Sequence, residues 1–153
     1  MDNKKIKNKI LIVGLGNYTR GDDGAGIHFI RELKKEIQNN KFLIEVGTIP
    51  LNFLKEISQA EKVVAIDAIR GGEKPGTIYK LGLNDLSETT VVDSHGISFY
   101  DVIHMGRSMT GYPKEITVYG IEPQNIDFNI KISSPVKKAI LKLKNIVIKD
   151  IFN

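Results

Sequence analysis

A chain of 153 residues is long enough for one domain whose core needs no covalent staples, and the absence of cysteine excludes disulfides, thiolate metal ligands and a cysteine nucleophile. The net charge of +4 comes from 22 basic and 18 acidic residues; 18 of the basic ones are lysines spread along the chain, a pattern of solvated helix faces more than of a nucleic-acid surface. No apolar run approaches the roughly 20 residues that span a bilayer, and Met1–Lys5 has no apolar stretch of a targeting segment, so a cytoplasmic protein acting away from membranes is expected.

In chain order, Lys9-Ile-Leu-Ile-Val-Gly14 is a short apolar run closed by glycine, the pattern of a strand buried on both faces of a parallel sheet. Ile27, Ile30, Leu33 and Ile37 recur at helical spacing, so the stretch between, GLGNYTRGDDGAG, is a strand-to-helix turn. Phe42–Val46 reads as a second strand, Pro50–Ser58 as a short helix, and Lys62–Asp67 as a third strand ending in a carboxylate. Gly71–Gly76 has turn chemistry, and Thr77–Leu81 after it is placed as an added strand at a sheet edge. Thr89–Asp93 leads into Ser94-His95-Gly96 and then a helical face of Ile97, Tyr100, Ile103 and Met109. Glu115–Ile121, rich in β-branched and aromatic residues, predicts a strand. Ser134 and Pro135 open a last helix with a stripe of Val136, Ile140, Leu143, Val147 and Ile151.

Strands alternating with helices predict a single three-layer α/β domain over residues 1–153 with a largely parallel sheet. Ligands of such sheets gather beyond the carboxyl ends of the strands. The GLGNYTRGDDGAG turn, Asp67 and His95 all fall at that edge.

A glycine-rich turn at this place normally cradles phosphate. Here Thr19 stands where the third glycine of a dinucleotide fingerprint belongs, and Asp22 and Asp23 occupy the helix start that would receive a pyrophosphate. Glu45 could imitate a ribose-binding acid, but two carboxylates in a partly desolvated cleft repel a phosphate strongly. Asp22 is read as the helix cap, and Asp23 as facing the cleft. Taken singly, Asp67 could be a strand-end residue and His95 a turn residue capping the helix from Gly96. Together, Asp23, Asp67 and His95 make a first shell for a divalent transition metal with open positions. Asp23 and Asp67 sharing a proton, as in acid proteases, stays open as an alternative. There is no Gly-x-Ser-x-Gly elbow, and His28 and His104 are read as surface or packing residues, with His104 able to approach the cleft if its helix lies across it.

Four ordered blocks resemble a known family: Gly14-Leu-Gly16-Asn17 with Asp22-Asp23-Gly24-x-Gly26; Val64-Ala-Ile-Asp67-Ala68; Ser94-His95-Gly96 leading to Asp101-Val102; and Tyr119-Gly-Ile-Glu-Pro123. The chain is similar to the hydrogenase maturation endopeptidases, which trim the large subunit of nickel–iron hydrogenases. The resemblance implies a phosphorylase/hydrolase-like α/β/α sandwich with a five-stranded, mostly parallel sheet and one antiparallel strand. It implies removal of a C-terminal extension from the precursor once nickel is inserted, with the metal in the substrate as the recognition signal. Asp23, Asp67 and His95 take the metal-contacting and catalytic positions; some members carry glutamate where this chain has Asp23. Asn17 and Asp22 are expected to border the substrate. The expected nickel arrives with the precursor, no permanent cofactor is implied, and a monomer is expected. Cleavage by metal-polarised water and cleavage with an aspartate as general base both remain open, as does a nickel checkpoint that holds the precursor without cutting it.

Overall fold

The computed structural model describes residues 9–38, 40–86 and 97–152. Within them lie five strands, β1 (Ile10–Leu15), β2 (Leu43–Gly47), β3 (Lys62–Ala68), β4 (Ile78–Gly82) and β5 (Glu115–Ile121), in one sheet of order β2-β1-β3-β5-β4. The pairs β1–β2, β1–β3 and β3–β5 are parallel, and β4 runs antiparallel to β5 at the sheet edge, where the sequence placed it. The link from β3 to β4 contains no helix to carry the chain back across the sheet, so β4 enters running the other way.

Four α-helices cover the two faces: α1 (Ala25–Lys34), α2 (Leu54–Ser58), α3 (Phe99–Thr110) and α4 (Ser134–Phe152). On one face Ile12, Val64, Ile66 and Ile121 pack against Phe29, Ile30 and Leu33 of α1 and Val136, Ile140, Leu143 and Val147 of α4. On the other, Leu11, Val13, Val63, Ala65 and Val118 pack against Ile57 of α2 and Val102 and Ile103 of α3. Successive strand residues thus enter different cores, which is why β1 and β3 are apolar without alternation. Each such fully buried aliphatic side chain is worth about 1.5–3 kcal/mol.

Two helix starts differ from the sequence reading. Helix α3 begins at Phe99 and is capped by Ser98, whose hydroxyl accepts the Asp101 N–H while the Asp101 carboxylate accepts the Ser98 N–H. Ile97 therefore lies outside the helix, and Met109, expected on its buried face, is 66% exposed. The true buried face is Phe99, Val102, Ile103 and Gly106. Helix α4 already includes Ser134, because the Ser133 carbonyl accepts the Lys137 N–H; the flanking position belongs to Ser133 rather than Ser134. Thr89–Asp93 and Ser94-His95-Gly96 lie outside the described residues.

Candidate functional site

Strand β1 sits between β2 and β3, so the chain leaves it in opposite directions and a crevice opens at the carboxyl ends of β1 and β3. Gly26 places α1 there: a Cβ on it would collide with the carbonyl oxygens of Ile66 and Leu15, so only glycine lets the helix start rest on both strands. Gly16 does the second half of the work. It has φ of +103°, and a Cβ on it would strike the Asp23 carbonyl and lie 3.3 Å from Asp67 Oδ1. The turn carrying Asp23 and the end of β3 carrying Asp67 close over that bare glycine.

The backbone N–H of Asn17 donates to Asp23 Oδ2 at 2.9 Å, and the Asp23 N–H donates to the Arg20 carbonyl at 3.1 Å. Asn17 Oδ1 accepts from the N–H and hydroxyl of Thr19 at 2.9 and 2.7 Å, so the side-chain oxygen of Asn17 shapes the loop while its backbone orients Asp23. Asp67 Oδ1 accepts the Ala68 N–H at 2.8 Å. Burial and then the Asp23 charge push the Asp67 carboxyl up to about 8, against the smaller pull of that N–H. Near neutral pH Asp67 therefore keeps its proton beside Asp23. Such a pair can pass a proton, or can surrender it when a cation arrives.

Asp23 and Asp67 are thus brought together as the sequence suggested, while His95 lies outside the described residues. Among the described residues no set of three histidine, cysteine or carboxylate groups converges on a point that could hold a metal ion.

Asp22 needs correction. It caps no helix: neither the Gly21–Gly24 turn nor α1 has a side-chain cap, and Asp22, expected to border the substrate, is wholly buried. Its Oδ1 accepts the Ser133 N–H at 2.7 Å, and its Oδ2 accepts the N–H groups of Gln124 and Asn125 at 2.9 and 3.1 Å and the Ser133 hydroxyl at 2.7 Å. The carboxylate clamps both ends of the 124–133 loop to the turn that bears Asp23. Backbone bonds from Gly21 to the Asn129 carbonyl and from Asn129 to the Thr19 carbonyl reinforce it. Of two consecutive acids in a tight turn only one can face the cleft; that was the available signal, but not which partner would hold the other.

Glu122, part of a recognised block but given no role there, does similar work on the far rim. It is buried, and its Oε1 accepts from the N–H groups of Gly71 and Glu73 and the Tyr79 hydroxyl at 2.8–3.0 Å. Burial raises its pKa, but the Tyr79 hydroxyl and those N–H groups outweigh it and hold the carboxyl below its ordinary value. Glu45, the acid placed to imitate a ribose-binding group, is taken by Arg31 at 3.0 Å and Lys34 at 3.6 Å. His104 is exposed and lies edge-on to Tyr100 at 4.3 Å. His28 is half-buried at 5.0 Å from the Tyr18 ring; burial and then Arg31 hold its pKa below the ordinary histidine value.

With this geometry in hand, the comparisons with known proteins are specific. The family model described as hydrogenase maturation protease, HycI, matches residues 27–150. A hydrogenase expression/formation protein HupD of Rhizobium leguminosarum is 25% identical over 138 residues, 86% of this chain and 68% of that one. The chain spans about 60–70% of the length of the HupD and HoxM relatives. A Methanocaldococcus jannaschii relative is 31% identical over 160 residues, covering 96% of this chain and 92% of its own length. The crystal structure of a [NiFe] hydrogenase maturation protease HycI from Thermococcus kodakarensis superposes with a TM-score of 0.80 at 26% identity, over 96% of this chain and 94% of that one.

Proposed function

We propose that this chain, which belongs to the hydrogenase maturation protease family, is the endopeptidase that removes the C-terminal extension of a nickel–iron hydrogenase large-subunit precursor after nickel insertion. The observation that carries the reading is the pairing of Asp23 with Asp67 at the β1–β3 crevice, with the Asp67 carboxyl raised to about 8.

In this reading the nickel is cargo of the substrate. In the free enzyme Asp67 holds its proton. When a precursor-borne dication approaches, its field favours the ionised form of both, and Asp67 releases its proton. Asp23 and Asp67, with His95 as the third ligand the family resemblance implies, then bind the substrate's metal and set the scissile peptide beside the pair. Nickel on the precursor could polarise a water for attack on the peptide carbonyl. Alternatively Asp23, oriented by the Asn17 N–H, takes a proton from the attacking water, with the nickel serving only to position the precursor. The cysteine-free chain requires no oxidising compartment, and we place its action in the cytoplasm, as a monomer. No helix among the described residues is long and apolar enough to cross a membrane.

The test is incubation of the purified protein with nickel-loaded and nickel-free precursor, read by mass spectrometry of the large subunit. Shortening of the loaded precursor alone is expected. A loaded precursor that binds and keeps its full mass would make the protein a nickel checkpoint instead. Asp23→Asn and His95→Ala are each expected to abolish processing in a folded protein; normal turnover in either removes that residue from the site.

A further inference from the structure

The face between α1 and α4 carries a groove that no step above uses. It has a volume of about 540 Å³, and its lining includes Tyr18, His28, Arg31, Lys35, Lys131 and Lys137. Glu32 is the one carboxylate in the wall, and it is paired with Lys35 at 2.7 Å, so the groove is cationic. Two apolar residues of its lining are exposed, Ile130 at 56% and Leu141 at 42%, and Phe128, two positions before Ile130, is 88% exposed. His28 Nε2 has no hydrogen-bond partner among the described residues. A surface that is cationic and apolar together is complementary to an acidic peptide segment that brings apolar anchors.

The groove is also tied to the site through the chain. Tyr18 forms part of its wall and is the residue after Asn17, whose N–H holds Asp23. Arg31 lies 4.3 Å above the Tyr18 ring, whose other neighbour is His28 at 5.0 Å, so the wall is a packed stack. Phe128 and Ile130 sit on the 124–133 loop, whose two ends are held by Asp22, the residue before Asp23.

We propose that this groove and the Phe128–Ile130 edge of the clamped loop form a docking surface for an acidic, amphipathic segment of the precursor protein, separate from the peptide bond that is cut. The proposal rests on the function given above. Docking there adds affinity that the metal contact alone does not supply, and the rigid Asp22 clamp keeps the docked segment in register with Asp23.

Steady-state processing of the nickel-loaded precursor, quantified by mass spectrometry, tests it with Lys131→Glu/Lys137→Glu and with Phe128→Ser/Ile130→Ser, all surface changes that leave the Asp22 bonds in place. Both pairs are expected to raise KM at least tenfold with kcat within twofold of wild type. The wild-type KM is expected to rise with salt, and the charge-reversed pair to lose that dependence. Lys131→Ala/Lys137→Ala serves if the reversal impairs folding. Cleavage with unchanged KM in both pairs overturns the docking surface while leaving the protease reading intact. If wild type cuts nothing, biolayer interferometry against the same precursor separates the two: binding weakened by the variants supports docking, and binding indifferent to them overturns it. A wild-type dimer that Phe128→Ser dissociates in light scattering assigns the surface to a second copy of the chain and also overturns it.

Discussion

Asp67→Asn turns the electrostatics of the aspartate pair into a number. The Asp67 carboxyl sits at about 8 rather than 3.8, because burial strips its water and Asp23 repels its ionised form. A folded pKa above the unfolded one means the native state holds the proton more tightly. Below about pH 4 both states are protonated and the residue costs nothing. As pH rises from about 4 to 8 the unfolded chain ionises and the native chain does not, so native stability falls; above about 8 the penalty is complete. The interval from 3.8 to about 8, at about 1.4 kcal/mol per pH unit, sets a ceiling near 6 kcal/mol. Asp67 keeps some solvent access, which screens the effect to about 2–4 kcal/mol. Asparagine preserves the oxygen that accepts the Ala68 N–H and removes the charge. The variant should therefore be more stable than wild type by about 2–4 kcal/mol at pH 8, converge with it near pH 4, and fail to process precursor. Guanidinium unfolding of both proteins at pH 4, 6 and 8 measures this, and the difference between them cancels His28 and the other titrating groups remote from the pair. Equal stability at pH 8, or a variant less stable there, would refute the buried-pair argument.

Asp22→Asn should cost about 2–4 kcal/mol, since the amide keeps one acceptor oxygen and turns an N–H toward donors; hydrogen exchange at residues 124–133 should accelerate, and unchanged exchange would dismiss the clamp. Gly26→Ala drives a methyl into the Ile66 and Leu15 carbonyls and should destabilise by about 3 kcal/mol or more, measured by urea midpoint; a neutral result would mean that α1 does not rest on the strands as described. Ser98→Ala removes the α3 cap and should cost about 1 kcal/mol, a fall of about 2–4 °C in Tm for a chain of this length; an unchanged Tm would refute the capping box.

Much of the architecture was legible because it rests on local pattern. The short apolar runs within Lys9–Gly14 and Lys62–Asp67 suit doubly covered strands, and Thr77–Leu81, after its glycine turn, suits an added edge strand, as the sheet shows. The α3 start was misjudged because Ile97 fits the helical period but precedes the Ser98 cap; the capping box, not the period, decides where the helix begins. Placing Asp23 and Asp67, 44 positions apart, at one edge needed only the rule that ligand-binding loops gather at the carboxyl ends of parallel strands, whereas their direct approach over Gly16 took the folded chain to show.

By itself, the sequence determined the layer order, the edge that holds the site, and the acids available there, because periodicity and turn chemistry act over a few residues. What the tertiary structure alone decided was how those acids are used. Asp22 and Asp23 are identical neighbours in sequence. The burial of one under Gln124, Asn125 and Ser133, more than 100 positions away, makes it a clamp, while Asp23 is left facing Asp67. A carboxylate's role follows from the donors and dielectric around it, and those are assembled only when distant segments of the chain meet.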